Sequence, residues 1–471
     1  MGANAVVLGG SLAGLCAARV LADHFERVTV IERDELPDAV VDRAGVPQGR
    51  HVHAMLERGR RELERLFPGF DAFVLERGAL VLNFGTDFAV LRQTAWQVRR
   101  PYHLSGLFLS RPLVDGAARH LLGKHTNVVV RARTEVIGLV ASGDDRRVTG
   151  VRLRAREGGG EETLAADLVV DASGRSSHAP EWLQALGVDP PSETIVDSYC
   201  GYSTRWFQAP PPERWPREWW WKGIWLDPDL AGPPSELLAG ILSPCEGNRW
   251  IVTIGGIARN YPPTDEAGFM AALSRLRSPI LAQSVARAEP ISPVYCNRMM
   301  ANRFRHYEKW PVRLPGFLAV GDAACAFNPV YGQGMTAAAV CAGLLGEALS
   351  KHGALAPDLP EKFFASQVGF LRQPWDLATG ADFRFDTTEG TRPPLLKPIN
   401  RYMDALFEAS NDDMTVRGIA ADVMHLLRPP AAFFAPGVAL RVARHAVGAR
   451  VRGTLVPRPQ PDAWPAMTAA A

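Results

Sequence analysis

A short apolar run, Val6-Val7-Leu8, leads directly into Gly9-Gly10-Ser11-Leu12-Ala13-Gly14. A helical stretch from Leu12 to Leu21 follows, then a second apolar run from Val28 to Glu32. Strand, glycine-rich turn, helix and strand within about thirty residues form a βαβ unit. The helix N-terminus turns unpaired N–H groups and a positive dipole end toward the turn, a setting that suits a pyrophosphate. Gly9 permits the tight turn and Gly14 permits close packing of helix on strand. Ser11 stands where a middle glycine is usual, and its hydroxyl can donate to a phosphate. Glu32 closes the second strand 18 residues after Gly14. A carboxylate there accepts from ribose hydroxyls and repels a 2′-phosphate, so the pattern predicts a dinucleotide other than NADP at this turn.

A second motif lies some 300 residues later. A strand ending near Val320 delivers Gly321-Asp322, and the chain then turns through Pro329-Val330-Tyr331-Gly332-Gln333-Gly334-Met335 into a helix rich in small residues. The Asp322 carboxylate suits a ribityl or ribose hydroxyl. Gly332 and Gly334 leave bare backbone N–H groups at a helix start, where the N1–C2=O edge of a reduced flavin would be stabilised. This predicts FAD rather than NAD.

The two motifs resemble those of the single-component flavin monooxygenases with the p-hydroxybenzoate hydroxylase fold, over roughly residues 4 to 350. Ser110-Arg111-Pro112-Leu113 is similar to that family's arginine segment, which implies that Arg111 contacts the FAD phosphate or ribityl chain. Asp167-Leu-Val-Val-Asp171-Ala-Ser-Gly174-Arg175 is similar to its Asp-Gly motif, with Ala-Ser inserted between Asp171 and Gly174. Cys325 stands where the family usually has histidine. The resemblance adds Arg33, beside Glu32, and Val136, at the start of a hairpin, to the cofactor set. The loop from Arg43 through Gln48-Gly49-Arg50 to His51 and His53 is similar to the epoxidase branch, including squalene-epoxidase-like enzymes and bacterial polyether epoxidases of the lasalocid and monensin type. There Arg43 would serve the flavin or the pyrophosphate. A metal at His51 and His53 is disfavoured because no third ligand is in view.

The expected fold is α/β: a Rossmann-like FAD-binding domain, an interleaved mixed β-sheet substrate domain and C-terminal helices. The expected boundaries are 1–78, 104–185 and 300–355 for the FAD domain, 79–103 and 186–299 for the substrate domain, and 356–471 for the helical region. Strands are expected within Ala79–Val98, at Val128–Arg131, as a hairpin over Val136–Leu153 and at Leu164–Asp171. Helices are expected at Val52–Phe67, Arg111–Gly123 and Gly334–Leu349. The tail Pro457–Ala471 reads as disordered.

Composition narrows the partners. The 471 residues carry a formal net charge of +2, too small to steer nucleic acid. The six cysteines form no C-x-x-C pair, which fits a reducing cytoplasm. Ala5–Ala22 is apolar but lacks a positive leader region, so it reads as the βαβ start. Pro429–Val442 is apolar but broken by prolines, and reads as a packed helical hairpin with no integral membrane span.

The resemblance implies reduction by NADPH or NADH, directly or through a flavin reductase, then O₂ and oxygen transfer from a C4a-hydroperoxyflavin. The expected substrate is a long apolar polyene of polyketide type in antibiotic biosynthesis, free or tethered to a carrier protein, with alkenes epoxidised. Tyr199, Tyr202, Trp206, Phe207, Trp219, Trp220, Trp221 and Trp225 either line its pocket or form ordinary core. Aromatic hydroxylation and prenyl-chain reduction are the alternatives. A halogenase reading is disfavoured because Trp219-Trp-Trp-Lys-Gly-Ile-Trp225 lacks the W-x-W-x-I-P wording, and a non-catalytic flavin binder is the remaining class. No catalytic side chain is identifiable.

Overall fold

The structure is a computed structural model describing residues 2–451 except 37–39, 44, 54, 94, 144–146, 157, 159, 231–236, 299, 313 and 412. The expected disorder of Pro457–Ala471 falls outside these residues. Five parallel strands form the first sheet, in the order Phe317–Ala319, Leu168–Asp171, Gly2–Leu8, Phe25–Ile31, Val128–Arg131. The edge strand Val128–Arg131 leaves Val130 exposed, while the apolar runs of the inner strands are buried because helices cover the sheet. Leu12–Leu21 packs on it through Leu15, Cys16 and Ala17, none with exposed surface. Gly334–His352 packs against this helix, where its small residues allow close approach: a Cβ on Gly346 would lie 3.0 Å from Val20 Cγ1.

A larger sheet carries Glu289–Pro290, Gly201–Gln208, Arg249–Gly256, Leu238–Cys245, Gly223–Leu226 and Phe88–Leu91 in that order, with Tyr295–Asn297 also on Gly201–Gln208. All neighbours are antiparallel except Gly223–Leu226 with Phe88–Leu91. Side chains alternate between its faces. One face buries Phe207, Trp250, Val252, Ile254, Leu242 and Ile224 under the helices Glu266–Leu273 and Ile280–Val285. The other faces the loop 43–53. A further set of helices, Leu359–Asp382, Leu396–Ala409, Met414–Met424 and Pro436–Val451, completes the α/β architecture.

Several expected elements need correction. Leu164–Asp171 is two strands: Glu161–Ala165 closes an antiparallel meander with Thr134–Ala141 and Val148–Ala155, and Leu168–Asp171 enters the parallel sheet. The chain changes sheet at Asp167, whose carboxylate accepts from the N–H groups of Ala3 (2.8 Å) and Asn4 (3.0 Å). The helix expected from Val52 starts at Glu57, because Met55 is drawn into a bridge with Leu107. The strands within Ala79–Val98 join different sheets: Leu80–Asn83 pairs Ser105–Phe108, and Phe88–Leu91 joins the large sheet. The apolar stretch after Pro429 is a short turn, Pro430–Phe434, and the helix Pro436–Val451, packed through Phe433, Val438 and Val442. Among the described residues, no helix is long and apolar enough to cross a membrane.

Candidate cofactor and active site

Bare backbone surrounds the first turn. Gly9 has φ +105°, and a Cβ there would lie 2.7 Å from the Ala172 carbonyl oxygen; one on Gly14 would lie 1.8 Å from the Gly9 carbonyl oxygen. Neither position tolerates a side chain. The Gly10 N–H donates to Glu32 Oε2 (2.8 Å) and the Asp34 N–H to Oε1 (3.0 Å). Arg43 enters the same corner. Its Nη1 is 3.5 Å from Glu32 Oε2, and its Nη2 donates to the Gly10 carbonyl (3.3 Å) and lies 3.7 Å from Asp115 Oδ2. Arg43, Glu32 and Asp115 are all buried, so their charges meet in a setting where screening is weak.

Arg111 opens the helix Arg111–Leu122, which Ser110 caps by accepting from the Leu113 N–H, with Pro112 in the first turn. Its Nε donates to Asp115 Oδ1 (2.9 Å) and its Nη2 to Ser11 Oγ (3.1 Å). Ser11 therefore already holds an arginine in its turn. The Ser110 N–H and hydroxyl donate to Glu246 (2.9 and 2.5 Å), which also pairs with Arg249 (2.9 Å). A hairpin tip of the large sheet is thereby fixed to the helix that carries Arg111.

The late motif meets the early one. A Cβ on Gly321, where φ is +61°, would lie 2.7 Å from Ala13 Cβ. Asp322 lies deep in the protein yet keeps accessible surface. Burial raises its pKa, while Arg175 and Arg111 oppose the rise. The turn after it is held from below by Asp382, which accepts from Asn302 Nδ2 (2.6 Å), Asn328 Nδ2 (3.2 Å) and the Tyr331 hydroxyl (2.7 Å). Gly332 has φ +65°, and the next residue, Gln333, is buried with Oε1 lacking any partner. Arg175 donates to the carbonyls of Phe327 (2.7 Å) and Ala301.

The loop from Arg43 to His53 spans from the nucleotide turn to the large sheet. Trp206 Nε1 donates to the Arg50 carbonyl (2.7 Å), His51 Nδ1 bonds Thr204 Oγ1 (2.8 Å), and Thr204 bonds Thr253 (2.7 Å). The His51 ring meets Tyr202 edge-on at 4.4 Å. His53 Nδ1 lies 3.0 Å from the His51 carbonyl. A carbonyl only accepts, so Nδ1 carries the proton and Nε2 presents a lone pair. Burial pushes both imidazoles down to about 3, with His53 adding to the effect at His51 and Arg111 adding to it at His53.

The remaining predicted residues divide by place. Leu12 and Met335 are buried beside their turns, Gly334 starts its helix with some surface open, and Pro329 is exposed. The Arg33 side chain is exposed, and its carbonyl accepts from Arg156 (3.3 Å). Val136 packs partly buried against the core under the parallel sheet. Asp171 is fully buried and spends its carboxylate on Ser173 and Ser177 within its own turn.

The aromatic set also splits. Phe207, Trp219 and Trp221 are core on the far face of the large sheet, where Trp221 packs with Trp215, Trp219 and Trp250 at 4.9–6.1 Å. Trp220 lies under Arg99, and Tyr199 sits at the rim, bonded to Glu389. Tyr202, Trp206 and Trp225 occupy the face toward the loop. Sequence reasoning missed Asp115, Glu246 and Asp382. The first was accessible from its position one helical turn after Arg111; the other two carry no local signal. Among the described residues no cluster of three or more metal-ligating side chains exists.

No family profile matches the chain. Protein Rv3254 of Mycobacterium tuberculosis is 32% identical over 422 residues, covering 87% of this chain and 86% of the relative. The flavin-dependent brominase Bmp2 superposes with a TM-score of 0.64 at 14% identity, covering 96% of this chain and 99% of its own. A 2-methyl-3-hydroxypyridine-5-carboxylic acid oxygenase gives a TM-score of 0.57 at 19% identity, covering 81% and 90%. At such identities these two structures establish a shared fold.

Proposed function

The chain belongs to the same family as protein Rv3254 of Mycobacterium tuberculosis, and from that premise we propose that it is an FAD-dependent monooxygenase. The observation that carries this reading is the meeting of the two distant motifs at Gly321 and Ala13, with deep-lying Asp322 beside them. The residues fit FAD on three counts. Gly9 and Gly14 close a tight turn in which a Cβ would collide with the Ala172 and Gly9 carbonyl oxygens, the Gln333 side-chain oxygen is buried without a partner, and Arg111 and Arg43 supply positive charge beside the turn. Gly9–Gly14, Glu32 and Arg43 would hold the adenosine and pyrophosphate, and Asp322 with Gly332–Met335 the flavin half, while Arg111 bridges the two. Arg33 and Val136 complete the proposed set. The domain division read from the sequence belongs to the same proposal.

FAD, when bound, supplies the oxygen-activating chemistry. The chain's own residues position and shield. Asp382 fixes the Asn328–Gly332 turn, His51 and Thr204 lock the loop to the sheet, and His53 presents a neutral acceptor beside Arg111. Alkenes need no protein base, and the finer reading is epoxidation of a long apolar polyene, with NADPH or NADH as reductant. The test is anaerobic reduction by each nicotinamide, then air with a linear polyene. A product heavier by one oxygen supports the proposal. A product heavier by two hydrogens makes it a reductase, and uptake on an arene alone makes it an aromatic hydroxylase.

A further inference from the structure

The face of the large sheet turned toward the 43–53 loop has an uneven relief. Across three neighbouring strands, one row pairs Tyr202 with Gly255 and Gly255 with Ala239. The next row runs Thr204, Thr253, Ile241, Trp225, Val90. Tyr202 meets His51, so the Tyr202 end of these rows looks toward the 43–53 loop, while Trp225 and Val90 at the other end pack with Leu82 and Phe108. Tyr202 also senses Arg175, the same arginine that acts on Asp322.

Gly255 is the low point. A Cβ there would find nothing within 4 Å, and its φ is outside the left-handed region. Its neighbour Gly256, by contrast, would place a Cβ 1.7 Å from the Asn260 carbonyl oxygen. Gly255, Ala239, Ile241 and Trp225 all retain accessible surface, whereas Leu238, Leu242, Ile254 and Ile224 on the far face are buried. The two rows contain no charged side chain. Thr204 and Thr253 satisfy each other, and Trp225 Nε1 is bonded to Asp227 (2.8 Å).

We propose that the Tyr202–Gly255–Ala239 row is the floor of the substrate site and that Gly255 sets how large a neutral, apolar molecule is admitted. This rests on the monooxygenase reading for its chemistry, but binding alone can test it. The side chains of these rows offer no counter-charge, so burying a charged head against them costs desolvation that a neutral apolar molecule avoids.

The experiment uses flavin-loaded protein and Gly255→Leu, with Gly369→Leu at an exposed helix position as control. The neutral probe N-phenylnaphthylamine reports binding, and linear trienes of increasing length report turnover. A Cβ at Gly255 meets nothing within 4 Å, so the sheet should keep its fold and flavin content should hold. Probe affinity should fall roughly tenfold or more, and the chain-length optimum should shift to shorter trienes. Gly369→Leu should change neither. If Gly255→Leu keeps full probe affinity and an unaltered length profile, the floor is elsewhere and the proposal falls while the oxygenase reading stands. If affinity falls as expected and no triene is ever oxygenated by the parent protein, the floor stands and the oxygenase reading falls.

Discussion

At the residue scale, Arg43 carries more than its place in a loop suggests. It faces Glu32 and Asp115, both buried, and also donates to Gly10. Arg43→Ala would leave two buried carboxylates short of their partner, a change that costs about 3–5 kcal/mol. A large drop in melting temperature is expected, with weaker FAD binding; calorimetry with and without FAD checks both. Gly14 is a sharper case. One methyl group at Gly14→Ala would press on the Gly9 carbonyl oxygen from 1.8 Å, so the turn must open. Flavin retention should be lost in this variant and kept in Gly369→Ala, as read by the absorbance of the purified proteins.

These two sites also mark the limit of what the sequence discloses. The glycine spacing and Glu32 were legible because a βαβ turn places them by local geometry. Arg43 was legible only as a motif residue: its pairing with Asp115 crosses more than seventy positions and has no periodic signature. The aromatic run 219–225 stayed open between pocket and core for a related reason. Composition does not tell which side of a sheet a side chain packs on: Trp219 and Trp221, ahead of the strand Gly223–Leu226, join Trp250 on the far side, while Trp225 on the strand does not.

At the scale of elements, the turn Asn328–Gly332 depends on the last residue of a helix more than fifty positions later. Asp382 collects Asn302, Asn328 and Tyr331, and is itself 1% exposed, so its donors have no water to fall back on. Asp382→Ala should destabilise by about 3 kcal/mol through those stranded donors. It should also weaken FAD binding, while Asp382→Asn, keeping shape and one acceptor, recovers part of both. Urea unfolding and FAD titration measure the pair. The strands and helices themselves were mostly readable from apolar periodicity. Errors arose where long-range pairing decided the outcome, as at Asp167, where the chain passes from one sheet to another, and at Met55, whose bridge to Leu107 delays a helix.

At the scale of the whole molecule, three imidazoles are held neutral at the junctions between parts. His51 and His53 lie between the nucleotide turn and the large sheet, and His425 packs on Phe84 and accepts from the Glu57 N–H. Burial lowers His51 and His53 to about 3 and His425 to about 4, against 6.5 for a free imidazole. The unfolded chain therefore binds protons that the folded chain refuses. Their contribution is complete above pH 6.5 and is lost as pH falls toward the folded values. The slope is at most about 1.4 kcal/mol per pH unit for each imidazole. Stability should fall steeply between pH 6.5 and 5, and His51→Asn should flatten that fall, as followed by urea unfolding across the range.

The central proposal is that the two distant glycine motifs enclose a flavin. The most direct test is the visible absorption spectrum of the purified chain, before and after incubation with FAD and removal of excess. The account predicts flavin bands shifted from those of free FAD, with near-equimolar FAD released on denaturation. A colourless protein that retains no added FAD would contradict it.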